Sequence, residues 1–147
     1  MNADRYRRVT NTINKVIVGL QRRGVAFGPM QLLTVKGRKT GQPRTFPIAV
    51  NEIGDGRYIF QAFPKAAWVA NVRDAETVTL TRGRSSASAR LVEVPVAERG
   101  SLLRELVRSS PKSVGERFVT TGLAQTATPE GIAAAADRIA VFRVEPA

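Results

Sequence analysis

The densest chemistry in the chain lies in nine consecutive residues, Lys36-Gly37-Arg38-Lys39-Thr40-Gly41-Gln42-Pro43-Arg44. Arg38 and Arg44 carry planar guanidinium forks suited to phosphate or carboxylate oxygens, Lys39 adds a point charge and Thr40 a hydroxyl. Gly37 and Gly41 let the backbone take positive φ and approach a ligand closely. Consecutive amides in such a turn can form an anion-binding nest. The glycine spacing is not that of a Walker loop, no helix follows, and the segment is not a Rossmann fingerprint. On chemistry alone an anion site and an ordinary solvated hairpin turn stand level.

Composition narrows what such a site could do. The 147 residues fit one domain, 1–147, with enough apolar content (43%) to bury a core. The chain has neither cysteine nor histidine. That excludes disulfides, thiolate metal sites, cysteine nucleophiles and every Ser-His triad. The net charge is +11 and uneven: residues 1–44 hold ten Lys or Arg against Asp4 alone, while the remainder holds thirteen against eleven acids. A local positive field points to an acidic partner, namely nucleic acid, an anionic membrane or a polyanionic cofactor. No apolar run approaches a bilayer span. Residues 1–8 are polar and basic with no apolar region behind them, so a cytoplasmic location is expected.

The elements that must position the segment follow from periodicity. Residues 4–23 read as an amphipathic helix, with Val9, Ile13, Val16, Ile17 and Leu20 on one stripe. Short runs rich in β-branched and aromatic residues then predict strands over 32–35, 45–51, 57–63, 77–82, 86–94 and 139–144. Gly37 with Gly41, Gly54-Asp55-Gly56 and Arg82-Gly83-Arg84 mark the turns. Helices are expected over 65–74, over 96–109, and from Thr128-Pro129-Glu130 to about Arg138. The pattern predicts a mainly β, α+β fold: a barrel of about six antiparallel strands, with an N-terminal helix and several flanking helices.

The stretch from Leu33-Thr34-Val35-Lys36-Gly37-Arg38-Lys39-Thr40-Gly41 through Gln42-Pro43-Arg44-Thr45-Phe46-Pro47-Ile48 resembles the signature of the deazaflavin-dependent nitroreductase family. Trp68-Val69-Ala70-Asn71-Val72 is similar to that family's second block, and Ile139-Ala140-Val141-Phe142-Arg143-Val144 to its closing strand. The resemblance implies a split β-barrel that binds coenzyme F420, whose phosphodiester and oligoglutamate tail make it a polyanion. It implies that Gly37, Arg38, Lys39, Thr40, Gly41 and Arg44 hold that tail. Ala62, Phe63, Pro64 and Lys65 would lie near the deazaflavin ring, with Trp68 and Asn71 flanking the pocket. Trp68 also reads as a core residue, and Asn71 as a loop brace. Members that reduce nitroimidazoles carry tyrosines near the C-terminus; here Phe118, Thr120 and Thr121 stand there, so that substrate is not implied.

The implied activity is hydride transfer from reduced F420 to a small electrophile, an enone, quinone or nitroaromatic. Water or a hydroxyl such as Thr120 or Thr121 would supply the proton. No catalytic side chain and no metal ligand is nominated. FMN is a less favoured cofactor, and a haem-using barrel is a further alternative. A basic barrel without catalysis is the other class of reading, bound to nucleic acid or to an anionic membrane through residues 4–23. Aromatic residues make up 6% and form no stacking ladder with the basic ones, which disfavours nucleic acid. Monomer and homodimer are both open.

Overall fold

The computed structural model describes residues 30–147, so the helix expected at 4–23 lies outside the described residues. β1 (Met30–Lys36) buries Leu33 and Val35 on one face and shows Thr34 and Lys36 on the other, the two-residue alternation of a strand. β2 (Pro43–Ala49) folds back on it in register from Lys36↔Pro43 to Met30↔Ala49. After Val50 alone, β3 (Asn51–Ile53) leaves that pairing and joins β4 (Gly56–Phe60) through the Gly54 turn, where φ is +59°. The run expected as one strand over 45–51 is therefore two.

β5 (Val78–Arg82), β6 (Ser85–Glu93) and β7 (Val141–Pro146) complete a seven-stranded antiparallel sheet in the order β2-β1-β5-β6-β7-β4-β3. Its two outermost strands, β2 and β3, are joined by the single residue Val50. The sheet must then curl back on itself, which gives a split barrel. The strand expected over 57–63 ends at Phe60. Beyond it the Gln61 side chain takes over the pairing: its Oε1 accepts from the Ala140 N–H at 3.0 Å, and its Nε2 donates to the Phe63 carbonyl at 2.8 Å.

Among the described residues, four helices flank the sheet: α1 (Ala67–Asp74), α2 (Val96–Ser109), α3 (Lys112–Thr120) and α4 (Pro129–Ala133). Two cores result. Leu33, Val35, Ile59, Phe142 and Val144 fill the barrel with Val69 and Val72 of α1. Phe60 and Val141, next in sequence to Ile59 and Phe142, face the other way and pack with Leu103, Leu106, Phe118, Ile132 and Ile139. The sequence predicts α2 residue for residue. α1 begins later than the expected residue 65, and α4 is shorter than expected: beyond Ala133 the chain tightens into three-residue turns, such as Arg138 N–H to Ala135 carbonyl at 2.9 Å.

α3 was not predicted, because Gly115 and the β-branched Val114, Val119 and Thr120 are weak helix formers. Tertiary packing overrides them. Gly115 is buried where a Cβ would stand 2.7 Å from the Ala127 carbonyl oxygen. Gly115→Ala should therefore push α3 off its neighbour and cost about 1–3 kcal/mol, as overpacking does. Urea unfolding checks this; an unchanged midpoint would mean that the helix sits more loosely than described.

Candidate functional site

The β1–β2 turn is closed by backbone bonds from the Gly37 N–H to the Gln42 carbonyl at 2.8 Å and from the Gly41 N–H to the Gly37 carbonyl at 2.9 Å. Gly41 takes φ +74°, a conformation that suits glycine. Gly37 is buried, and a Cβ there would stand 3.1 Å from the Gln42 oxygen. Thr40 Oγ1 accepts from the Gln42 N–H at 3.2 Å. These bonds hold Arg38, Lys39 and Arg44 on one exposed loop.

Asn71 of α1 reaches that loop. Its Oδ1 accepts from the Arg38 N–H at 3.1 Å and from the Arg38 guanidinium at 2.9 Å. Asn71 is 7% exposed and its Nδ2 has no protein acceptor among the described residues. It is therefore a loop brace, as one reading of the sequence allowed, that also carries an unused buried donor. Three residues earlier, Trp68 stacks obliquely between Phe46 (6.1 Å) and Phe142 (5.6 Å). It belongs partly to the barrel core and partly to the surface described next.

A cavity of about 680 Å³ runs beside these groups. Of the residues expected in the site, Gly37, Arg38, Lys39, Thr40, Arg44, Ala62, Phe63, Trp68 and Asn71 line it; Gly41, Pro64 and Lys65 do not. Gly41 shapes the turn from outside. Pro64 and Lys65 are exposed, and Lys65 takes φ 56°, an uncommon conformation for a side-chain-bearing residue. Sequence reasoning missed Met30, Phe46, Pro47, Ile48, Ala49, Asn51, Phe60, Leu106, Val114 and Arg117, which also line it. Only contacts between elements distant in the chain bring these together, so periodicity held no signal for them. Thr120 and Thr121 do not line the cavity; Thr121 is buried and its hydroxyl donates to the Phe118 carbonyl at 3.3 Å.

The cavity is long. Its lining includes the β1–β2 turn at one end and Met30 with Ala49 at the other end of the same hairpin, about 20 Å along seven-residue strands. Its electrostatics are one-sided: Arg38, Lys39, Arg44 and Arg117 line it and no Asp or Glu among the described residues does. Among the described residues, Lys36, Arg38, Lys39 and Arg44 form no salt bridge, whereas Arg73, Arg99, Arg104, Arg108 and Arg143 do, as in Arg73–Glu93 at 2.6 Å. An unpaired cationic loop at one end of an apolar-walled groove fits a long ligand with a polyanionic tail and a flat ring. No group of His, Cys, Asp and Glu among the described residues could hold a metal ion, and no described helix is long and apolar enough to cross a membrane.

A split barrel with a cationic groove that no carboxylate among the described residues lines defines a class of cofactor-binding oxidoreductase folds. Within it, the chain belongs to the F420H2-dependent quinone reductase family, which it matches over residues 3–123. It is an F420-dependent reductase. Solved structures with the same fold include a domain-swapped dimer (25% identity, TM-score 0.57, covering 97% of this chain and 98% of that one). An F420-H2 dependent reductase (FDR-A) is similarly related (25% identity, TM-score 0.54, 80% and 95%). A protein of unknown function from Agrobacterium tumefaciens shares the fold alone (11% identity, TM-score 0.55, 87% and 52%). No curated protein matches the chain.

Proposed function

We propose that the chain reduces a small conjugated electrophile, with a quinone as the first candidate and enones and nitroaromatics as the wider class. When bound, F420H2 supplies the hydride. The observation that carries the reading is the cationic loop without carboxylate partners opening onto an aromatic-walled groove. Arg38, Lys39, Thr40 and Arg44 would hold the phosphate and glutamate oxygens, with Gly37 and Gly41 keeping the backbone close. The buried Asn71 amide both orients Arg38 and offers its unused Nδ2 to the cofactor. Ala62, Phe63 and Trp68 would flank the ring; Pro64 and Lys65 support that loop from outside. No carboxylate among the described residues lines the groove, so water is the proposed source of the proton. The quinone is favoured by the family's description.

FMN has one phosphate and no oligoglutamate tail, so it would leave part of the cationic loop unused. Assembly as a homodimer is proposed from the domain-swapped neighbour. The location proposed is the cytoplasm, with residues 4–23 as the contact to an anionic membrane surface where a lipophilic quinone is met. The test is turnover: purified protein with F420H2 and a soluble naphthoquinone should restore the absorbance of oxidised F420. Absence of turnover with quinone, enone and nitroaromatic acceptors alike would sink the reading.

A further inference from the structure

The barrel has a second opening, at the end away from the β1–β2 turn, and the strand register sets it there. Leu32 pairs with Thr81, which puts Gln31 beside Arg82. Lys36, where the β1–β2 turn begins, lies about 17 Å further along β1 at the usual rise per strand residue. Arg82 pairs with Ser85 across the Gly83 turn, Ala89 pairs with Pro146, and Tyr58, next to Arg57, pairs with Arg143. The neighbouring strands β1, β5, β6, β7 and β4 thus ring a cavity of about 360 Å³. Among the described residues it shares no lining side chain with the groove.

One part of this cavity is apolar: Leu80 and Ala89 come from the barrel core, with Ala87 and Pro146 beside them. The other part carries Arg57 and Arg82. Both are exposed, and neither guanidinium makes a hydrogen bond or salt bridge among the described residues. Glu52, the residue opposite Arg57 on β3, forms no ion pair with it. The carboxylate that does line the cavity, Glu145, is already taken by Arg143 Nε at 2.8 Å. Ser86 Oγ lies 2.8 Å from Thr81 Oγ1, whereas the hydroxyls of Ser85 and Ser88 and the amide of Gln31 have no partner among the described residues. Two guanidinium forks therefore share one cavity with free hydroxyls and without a carboxylate of their own.

We propose that this opening is a second ligand site, separate from the groove, and that it takes a phosphate monoester borne on a small apolar body. Two forks offer more parallel N–H donors than the two oxygens of a carboxylate can use, while a phosphate monoester presents three charged or partly charged oxygens. Ser85 and Ser88 add hydroxyl donors. The apolar part, on the Leu80 and Ala89 side, covers the ester's body, and a few convergent polar groups beside an apolar wall are the usual build of a small-molecule site. The proposal does not depend on what the groove binds.

The probe is phenyl phosphate, with inorganic phosphate and benzyl alcohol as the anion alone and the body alone. Amide chemical shifts of the isotope-labelled full chain are followed during each titration, so that contacts at this opening are separated by residue from contacts at Arg38 and Lys39. Phenyl phosphate should shift Arg57, Arg82 and Ser85–Ala89 saturably, and each half-molecule should do so more weakly. Arg57→Gln with Arg82→Gln should lose about tenfold or more in affinity at these residues, the scale of lost charged hydrogen bonds. Its melting temperature and its affinity for oxidised F420 should match wild type, because neither side chain has a partner to lose and neither lines the groove. Shifts confined to the 36–44 loop, or none, would overturn the proposal. So would an unchanged affinity in the double variant, or inorganic phosphate binding as tightly as the ester. Pelleting with phosphatidylcholine vesicles, with and without phosphatidic acid, decides the source of the ester. A deficit of the double variant on the acidic vesicles assigns it to a lipid headgroup, and equal pelleting assigns it to a free metabolite; either supports the site.

Discussion

Replacing Arg38 and Lys39 together with alanine should weaken binding of oxidised F420 by well over tenfold while leaving the fold intact. The size follows from two lost charge-assisted contacts, each of about 1.5–3 kcal/mol before discounting for the exposed loop. Arg38 weighs more of the two. Its main-chain N–H and its guanidinium both rest on Asn71 Oδ1, so the side chain is ordered before any ligand arrives. Less entropy is then lost on binding. Neither residue pairs with a carboxylate among the described residues and both are exposed, so thermal unfolding should hardly change. Because the contacts are ionic, wild-type affinity should fall as salt rises and the double variant's should fall less steeply. Equal affinity in the two proteins would displace the cofactor's tail from this loop.

The second large effect concerns stability. Arg99 is 6% exposed, yet its charge is enclosed by acceptors: Val94 O at 2.8 Å, Ala136 O at 3.2 Å, Ile139 O at 3.3 Å and Glu93 Oε2 at 3.1 Å. It ties α2 to the end of β6 and to the approach to β7. Glu93 also receives a two-pronged contact from Arg73 on α1, at 2.9 and 2.6 Å. The Arg73–Glu93–Arg99 cluster thus joins the helix that carries Trp68 and Asn71 to the helical layer that carries Leu106 and, through α3, Arg117. Arg99→Met keeps the bulk but leaves three carbonyls without their donor and Glu93 with Arg73 alone, and should cost about 3–5 kcal/mol, at about 1–3 kcal/mol for each buried acceptor left unsatisfied. That is a large share of a domain's stability of about 5–15 kcal/mol. Urea denaturation measures it. A loss under about 1 kcal/mol would mean that water reaches this cluster freely.

The same cluster sets an acid limb. The hydrogen bond from Arg73 holds the Glu93 carboxyl below the usual carboxylate range, aided by the Arg73 and Arg99 charges and opposed by partial burial. Arg73 is correspondingly raised, first by its bond to Glu93. A folded value below the unfolded one means that the stabilisation is present above the ordinary glutamate pKa of about 4.3. It is lost as pH falls through the lower folded value. Glu93→Gln should therefore be less stable than wild type near neutrality and should lose less on acidification. Parallel stability curves for the two proteins would contradict the assignment.

Local rules made part of this structure legible. The turn glycines, the alternation in β1, the stripe of α2 and the Thr128 cap, whose Oγ1 accepts from the Gly131 N–H at 3.0 Å, are short-range features that the sequence states directly. The cationic end of the groove was legible for the same reason: its residues are consecutive. The split at Val50 was not, because a strand that changes partners keeps its β-branched composition. Nor was α3, where packing against Ala127 outweighs weak propensity. Arg117, which lines the groove from α3, was missed with that helix. Pro64 and Lys65, expected near the ring from their place beside Ala62 and Phe63, are exposed and do not line the groove.

The most direct test of the account is a titration of the purified protein with oxidised F420 and, in parallel, with FMN, following fluorescence at moderate salt. The single tryptophan, Trp68, lies in the groove wall and reports occupancy. The account predicts saturable binding of F420 and none of comparable strength for FMN. Binding of FMN instead, or of neither, would contradict it.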